Sequence, residues 1–180
     1  MFRLLRKFRK NEEGASAIEF AFLMPIILLL SFYILETSWY FTRIVVFDRA
    51  VRIVTNDIYV GAVGSAGLTA ADLEKEICDE FFLSGTSSSC RSSLVLELTE
   101  VTDFTSLPTD DAECISFNSS NQVVRPLVDF NVGTGSSVIF LRACFSTEFL
   151  LPGIGFALNV GNSDGRHNMI SSAAFINEPT

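Results

Sequence analysis

The sequence predicts an α+β protein. A long N-terminal transmembrane and amphipathic helix precedes a small periplasmic domain with a short helix and an antiparallel sheet of about four strands. Three observations carry this expectation. Residues 20–35 (FAFLMPIILLLSFYIL) run sixteen positions without a charge. From Arg43 onward apolar and charged residues recur at helical spacing, and further along short segments alternate at the period of two that half-buried strands require. Four cysteines, an even number, all fall from Cys78 onward. The expected organisation is a basic leader over 1–14, a helix over 15–60 and an extracytoplasmic domain over 68–180.

The leader is marked by charge. Residues 1–14 hold Arg3, Arg6, Lys7, Arg9 and Lys10 against Glu12 and Glu13, net +3, whereas the remainder carries net −11 of the total −8. An acidic body argues against nucleic-acid binding, because it lacks a Lys/Arg cluster to neutralise a phosphate backbone. A basic stub before an apolar run fits an N-terminus kept on the cytoplasmic side of a membrane. At 180 residues the chain excludes a large multidomain enzyme.

The apolar run and its flanks are about as long as a bilayer core requires. At about 1.5 Å per residue, Glu19 and Glu36 stand roughly 25 Å apart, near the two edges of the hydrocarbon. Trp39, Tyr40 and Phe41 follow where an aromatic belt belongs. Pro25 is tolerated in membrane helices. A cleaved secretory signal is disfavoured, since the run is long for such a segment and no A-x-A-like site follows it. Beyond Arg43, the apolar Ile44, Val45, Phe47, Val51, Val54 and Ile58 interleave with Arg43, Asp48, Arg49, Arg52 and Asp57, so the helix continues amphipathically to about Tyr59. Asp48 and Arg52 form a supportive i,i+4 pair. Gly61, Gly64 and Gly67 end the helix and form a linker.

In the body, Thr69 before Ala70, Ala71 and Asp72 marks a helix start, and Leu73, Ile77 and Phe81 carry it to about Phe82. Residues 84–89 read as a polar loop. LVLELTEV (94–101) alternates as a half-buried strand. Residues 102–113 read as a loop, 114–117 and 123–124 as a ragged strand pair, 137–147 as the central strand and 168–176 as the last. With no C-x-x-C pair and His167 the single histidine, zinc is not expected. If the body is extracytoplasmic, Cys78, Cys90, Cys114 and Cys144 are disulfide candidates. Of three connectivities, Cys78–Cys90 with Cys114–Cys144 is favoured, the first closing the polar loop between helix and strand. Four reduced thiols are the alternative in a reducing compartment.

The order of features at the N-terminus is distinctive: basic residues, then Glu12-Glu13-Gly14, then Ala15-Ser16-Ala17-Ile18-Glu19, and only then the apolar run. A small-residue site ahead of the hydrophobic segment resembles the processing site of type IV prepilins. That resemblance implies cleavage after Gly14, with Ala15 as the new N-terminus and Glu19 as the fifth mature residue. A carboxylate at the hydrocarbon edge seeks a cation, and a neighbouring subunit's new α-amino group is a suitable one. The alternative places Glu19 among headgroups, in the favourable first turn of a helix.

More narrowly, the opening resembles the TadE/TadG-like family, the pilin-like proteins of tight-adherence (Tad) pilus systems. Gly14, Ala17, Glu19, Phe20, Pro25 and Glu36 carry the likeness. LPGIGFAL (151–158) and the ending Phe175-Ile176-Asn177-Glu178-Pro179 resemble further family segments, with Ile176 where an Arg is common. The small body, without room for a large added domain, favours the TadE-like branch. The resemblance implies a TadE-like pseudopilin or minor pilin, cut by a prepilin peptidase, with Glu19 and Glu36 as helix assembly carboxylates. It implies a single-pass inner-membrane location, N-terminus cytoplasmic and body periplasmic. The implied partners are that peptidase, the Tad inner-membrane platform, the major pilin and a sister TadE/TadG-like protein. The runner-up is an unprocessed single-pass anchor bearing a periplasmic binding module.

Catalysis finds little support. His167 falls in an apparent Gly165–Asn168 surface turn, and the chain has no nucleophile elbow, phosphate-binding glycine loop or H-E-x-x-H. Asp110, Asp111 and Glu113 read as a solvated acidic loop, and Asn159, Asn162 and Asp164 lack the spacing of a calcium loop. No catalytic residue, metal or cofactor is expected.

Overall fold

The computed structural model describes residues 14–60, 68–103, 105, 107–118, 120, 122–133, 137–149 and 166–176. The leader before Gly14, the glycine linker, 151–165 and the tail after Ile176 lie outside the described residues.

Helix α1 (Ala15–Tyr59) is one continuous element of 45 residues, about 67 Å long at the standard rise. Its N-terminal half is bare: every residue from 16 to 35 is exposed, Phe22 to 76% and Leu35 to 62%. Three hydroxyls along the helix are satisfied by its own carbonyls. Ser31, Thr37 and Thr42 donate to the carbonyls four residues earlier at 2.8, 2.8 and 2.7 Å. The C-terminal half is the opposite case. Phe47, Ala50, Val51, Val54 and Ile58 recur on one stripe and are all buried.

That stripe packs against α2 (Ala70–Glu80) and the sheet. Helix α2 starts in a capping box: Thr69 Oγ1 accepts from the Asp72 amide and the Asp72 carboxylate accepts from the Thr69 amide, both at 3.3 Å. The Thr69 hydroxyl also donates to the Asp72 carboxylate at 2.5 Å, and that bond, with the one from the Thr69 amide, holds the Asp72 carboxyl below its ordinary pKa. A 3₁₀ turn, Phe82–Ser84, follows. The segment expected as a polar loop is in part helical, since α3 (Ser87–Ser93) opens where Thr86 accepts from the Ser89 amide at 3.4 Å. Five serines in SSSCRSS hide a helix that a side-chain cap and a disulfide hold.

Strands β1 (Leu94–Val101), β4 (Val138–Glu148) and β5 (Arg166–Ile176) form an antiparallel sheet with β4 central. The register sets Leu94, Leu96 and Leu98 opposite Phe145, Ala143 and Leu141, so one face of the sheet is apolar. Phe47, Phe81 and Phe145 meet over that face with ring centroids 5.2–5.9 Å apart, within the favoured range for aromatic clusters. Ser171 of β5 donates to Asp48 of α1 at 2.7 Å, and Asp48 also accepts from Arg52 at 2.7 Å. On the other face Arg142 donates twice to Glu97, its cross-strand partner, at 2.8 and 2.6 Å.

The sheet has three strands where about four were expected. Among the described residues, strands β2 (Ser116–Phe117) and β3 (Val123–Val124) pair only with each other. Asn118 closes their turn locally, accepting the Gln122 amide at 2.8 Å, while the outer side of β1 is met by a single parallel bridge from Leu98 to Phe130. The structure joins Cys78 to Cys90, linking α2 to α3, and Cys114 to Cys144, fastening the segment before β2 to the outer face of β4.

Candidate functional site

The bare half of α1 is the most unusual surface of the molecule. A soluble fold seldom exposes a continuous apolar patch of this size without a partner or membrane to cover it. Its most apolar stretch has a mean hydropathy of 2.3 with none of it buried, and it is long and apolar enough to cross a membrane.

At its start, Gly14 sits at the helix N-cap with φ −78° and ψ −15° and without a side-chain cap. A Cβ added there would meet nothing within 4 Å. The fold therefore gives no reason for a glycine at this position: the backbone is right-handed and the space is open. Ala15 opens the helix. Glu19, one turn further on, is exposed. Glu36 is not: at 3% exposure it lies inside the fold. The two carboxylates that the sequence treats alike are thus in opposite environments. Glu19 is exposed and Glu36 is buried.

Where α1 meets the body, the expected aromatic belt divides. Trp39 and Phe41 are exposed. Tyr40 turns inward, its ring 4.7 Å edge-on from His167, and Phe149 lies 4.3 Å from the same imidazole. His167 is therefore no surface-turn residue. It lies in β5, is 3% exposed, and neither ring nitrogen has a hydrogen-bond partner among the described residues. Burial, aided by the charge of Arg43, lowers its pKa to about 4. The alternation of β5 was the available signal, since His167 shares the inward phase of Met169, Ser171 and Phe175.

Asp110, Asp111 and Glu113 are exposed. Asp110 contributes its carbonyl oxygen to Arg142. Among the described residues no three His, Cys, Asp or Glu side chains converge as a metal site would need.

The family comparison falls on the bare helix and the start of its buried stripe. A protein-family model described as TadE-like protein matches residues 14–54, the segment opening at Gly14 and holding Glu19, Pro25 and Glu36. The TadE-like resemblance read from the sequence is thereby shown for this part of the chain. The match lies on the one helix that, among the described residues, is long and apolar enough to cross a membrane. No curated protein and no solved structure matches the chain.

Proposed function

We propose that this chain is a TadE-like pseudopilin or minor pilin, cut by a prepilin peptidase after Gly14. It is held in the inner membrane with a periplasmic body and acts in the assembly, or as a minor component, of an adhesive Tad pilus. The observation that carries this is the pairing of a glycine the fold does not need with an exposed Glu19 at the head of a bare apolar helix. Both features become intelligible if their partners lie outside the chain: a peptidase for Gly14, and a neighbouring subunit's α-amino group for Glu19. An ionised carboxylate at the edge of hydrocarbon is costly until such a cation meets it. Glu36, read with Glu19 as a helix assembly carboxylate, is buried within the subunit, so the exposed Glu19 is the one placed to meet a neighbour first.

The Tad inner-membrane platform, the major pilin and a sister TadE/TadG-like protein are the partners this reading requires. The domains follow: a leader over 1–14 that is removed, a helix over 15–60 that inserts and assembles, and a body over 68–180 outside the cytoplasm, where its two disulfides can form. N-terminal sequencing of the protein from cells that make the peptidase tests the reading. A chain starting at Ala15 is expected. A chain starting at Met1 in those cells would overturn it in favour of the unprocessed anchor.

A further inference from the structure

Beside the junction of helix and body lies a second site, distinct from the apolar face. A solvent-open cavity of about 230 Å³ is lined by residues from several elements, among them Arg43 of α1, Ser84 of the 3₁₀ turn, Ser146 and Glu148 of β4, and Arg166 of β5. The lining is mainly polar. Among the described residues, Arg43 Nε, Ser84 Oγ and Ser146 Oγ are buried and lack a hydrogen-bond partner. Ser146 is 2% exposed. Arg43 has no ion pair among the described residues, and its guanidinium lies over the Phe145 ring at 5.9 Å from the centroid. Native folds rarely leave buried donors unsatisfied, and three around one cavity ask for a common acceptor.

We propose that this cavity binds a phosphate-type oxyanion. Arg43 supplies charge and a directed N–H, Ser84 and Ser146 supply hydroxyl donors, and Arg166 adds a second guanidinium. A tetrahedral oxyanion accepts from several directions at once, which a single carboxylate or a chloride does less well. Glu148 is the opposing element. Its side chain is 68% exposed and pairs with Arg166, so it competes for that guanidinium weakly enough to be displaced.

The position of the site points to where the anion comes from. Arg43 stands twenty-four residues beyond Glu19, roughly 36 Å along the helix, whereas the hydrocarbon core is about 30 Å thick. With Glu19 at one edge, Arg43 emerges at the level of the opposite headgroups. A phospholipid headgroup is therefore the favoured source, and free phosphate is the other. The lipid source rests on the membrane-inserted reading above, but phosphate binding by the cavity does not.

The test uses the full chain in a non-ionic detergent. One arm titrates inorganic phosphate at constant ionic strength and follows thermal unfolding. The other compares nanodiscs of phosphatidylglycerol with nanodiscs of phosphatidylcholine, reading ³¹P relaxation of bound headgroups. A phosphate-dependent rise in unfolding temperature, or selective headgroup immobilisation in phosphatidylglycerol, supports the site. Phosphate binding without lipid selectivity assigns a soluble source, and lipid selectivity alone assigns the headgroup. Arg43→Gln and Ser146→Ala should each weaken the responding arm by about tenfold or more, as loss of a charge-assisted or buried hydrogen bond does. Glu148→Gln should strengthen it. Ser146→Ala removes only an unbonded hydroxyl, so it keeps the test valid if Arg43→Gln folds poorly. No response to either ligand in the wild type, or a response unchanged in Ser146→Ala, overturns the proposal.

Discussion

His167 is held neutral by what surrounds it: Tyr40 and Phe149 press on its ring, and Arg43 adds a repelling charge. Its pKa falls from 6.5 to about 4 on folding, so between those values the unfolded chain binds the proton and the folded chain does not. The stability associated with the neutral ring is complete above pH 6.5 and drains away as pH falls towards 4. Thermal unfolding of the full chain in detergent should show a transition temperature that drops across this window. His167→Phe, which keeps a ring but takes up no proton, should flatten that part of the profile. An unchanged pH profile in the variant would assign the drop to other groups. Only the phase of His167 in the β5 alternation was legible locally, because Gly165 and Asn168 suggest a turn and the groups that bury it come from α1 and the end of β4. The burial of Glu36 was not legible either, since its place at the end of an apolar run does not say what packs beside it.

The two halves of α1 differ in what they pack against, and substitutions should separate them. Phe47 is 1% exposed and meets Phe81 and Phe145. Phe47→Ala should destabilise the body by about 3–5 kcal/mol, the usual cost of emptying a buried aromatic site. Phe22, 76% exposed, touches little of the body, so Phe22→Ala should leave its denaturant midpoint in detergent unchanged. Equal losses would mean that the N-terminal half also packs on the body. The Cys78–Cys90 bridge closes a separation of 12 residues between two short helices. Replacing both cysteines by Ala should cost about 2–3 kcal/mol, measured by the same denaturation under non-reducing conditions. Elements with strong internal periodicity were legible in sequence: the amphipathic stripe of α1, LVLELTEV as β1, and the Thr69–Asp72 cap of α2. The elements that were not legible owe their form to distant partners. Helix α3 is a run of serines that propensity alone does not favour, and whether β2 and β3 join the main sheet depends on what already lies beside β1.

At the scale of the whole molecule, charge and apolarity are graded along the sequence: a basic N-terminal stretch, a bare apolar half-helix, then an acidic disulfide-bonded body. The proposed orientation keeps the positive charge on the cytoplasmic side. A reporter fused after Asn56 should therefore be active when it requires the periplasm, and activity of a reporter that works only in the cytoplasm would reverse the proposed orientation. Processing and assembly then separate by residue. A Cβ added at Gly14 meets nothing within 4 Å, so Gly14→Leu is the variant that reads processing. It should leave a precursor heavier by residues 1–14, still inserted because the apolar run is intact. Glu19→Ala removes an exposed carboxylate and touches nothing in the body, so the chain should be cut, inserted and disulfide-bonded as in the wild type. It should nevertheless fail to support normal pilus assembly, because the cation it would meet belongs to another subunit. Mass measurement of the membrane-bound protein, together with electron microscopy of the cells, reads both variants. If Glu19→Ala cells make pili in normal number and length, the pairing assigned to that carboxylate is wrong, whatever happens at Gly14.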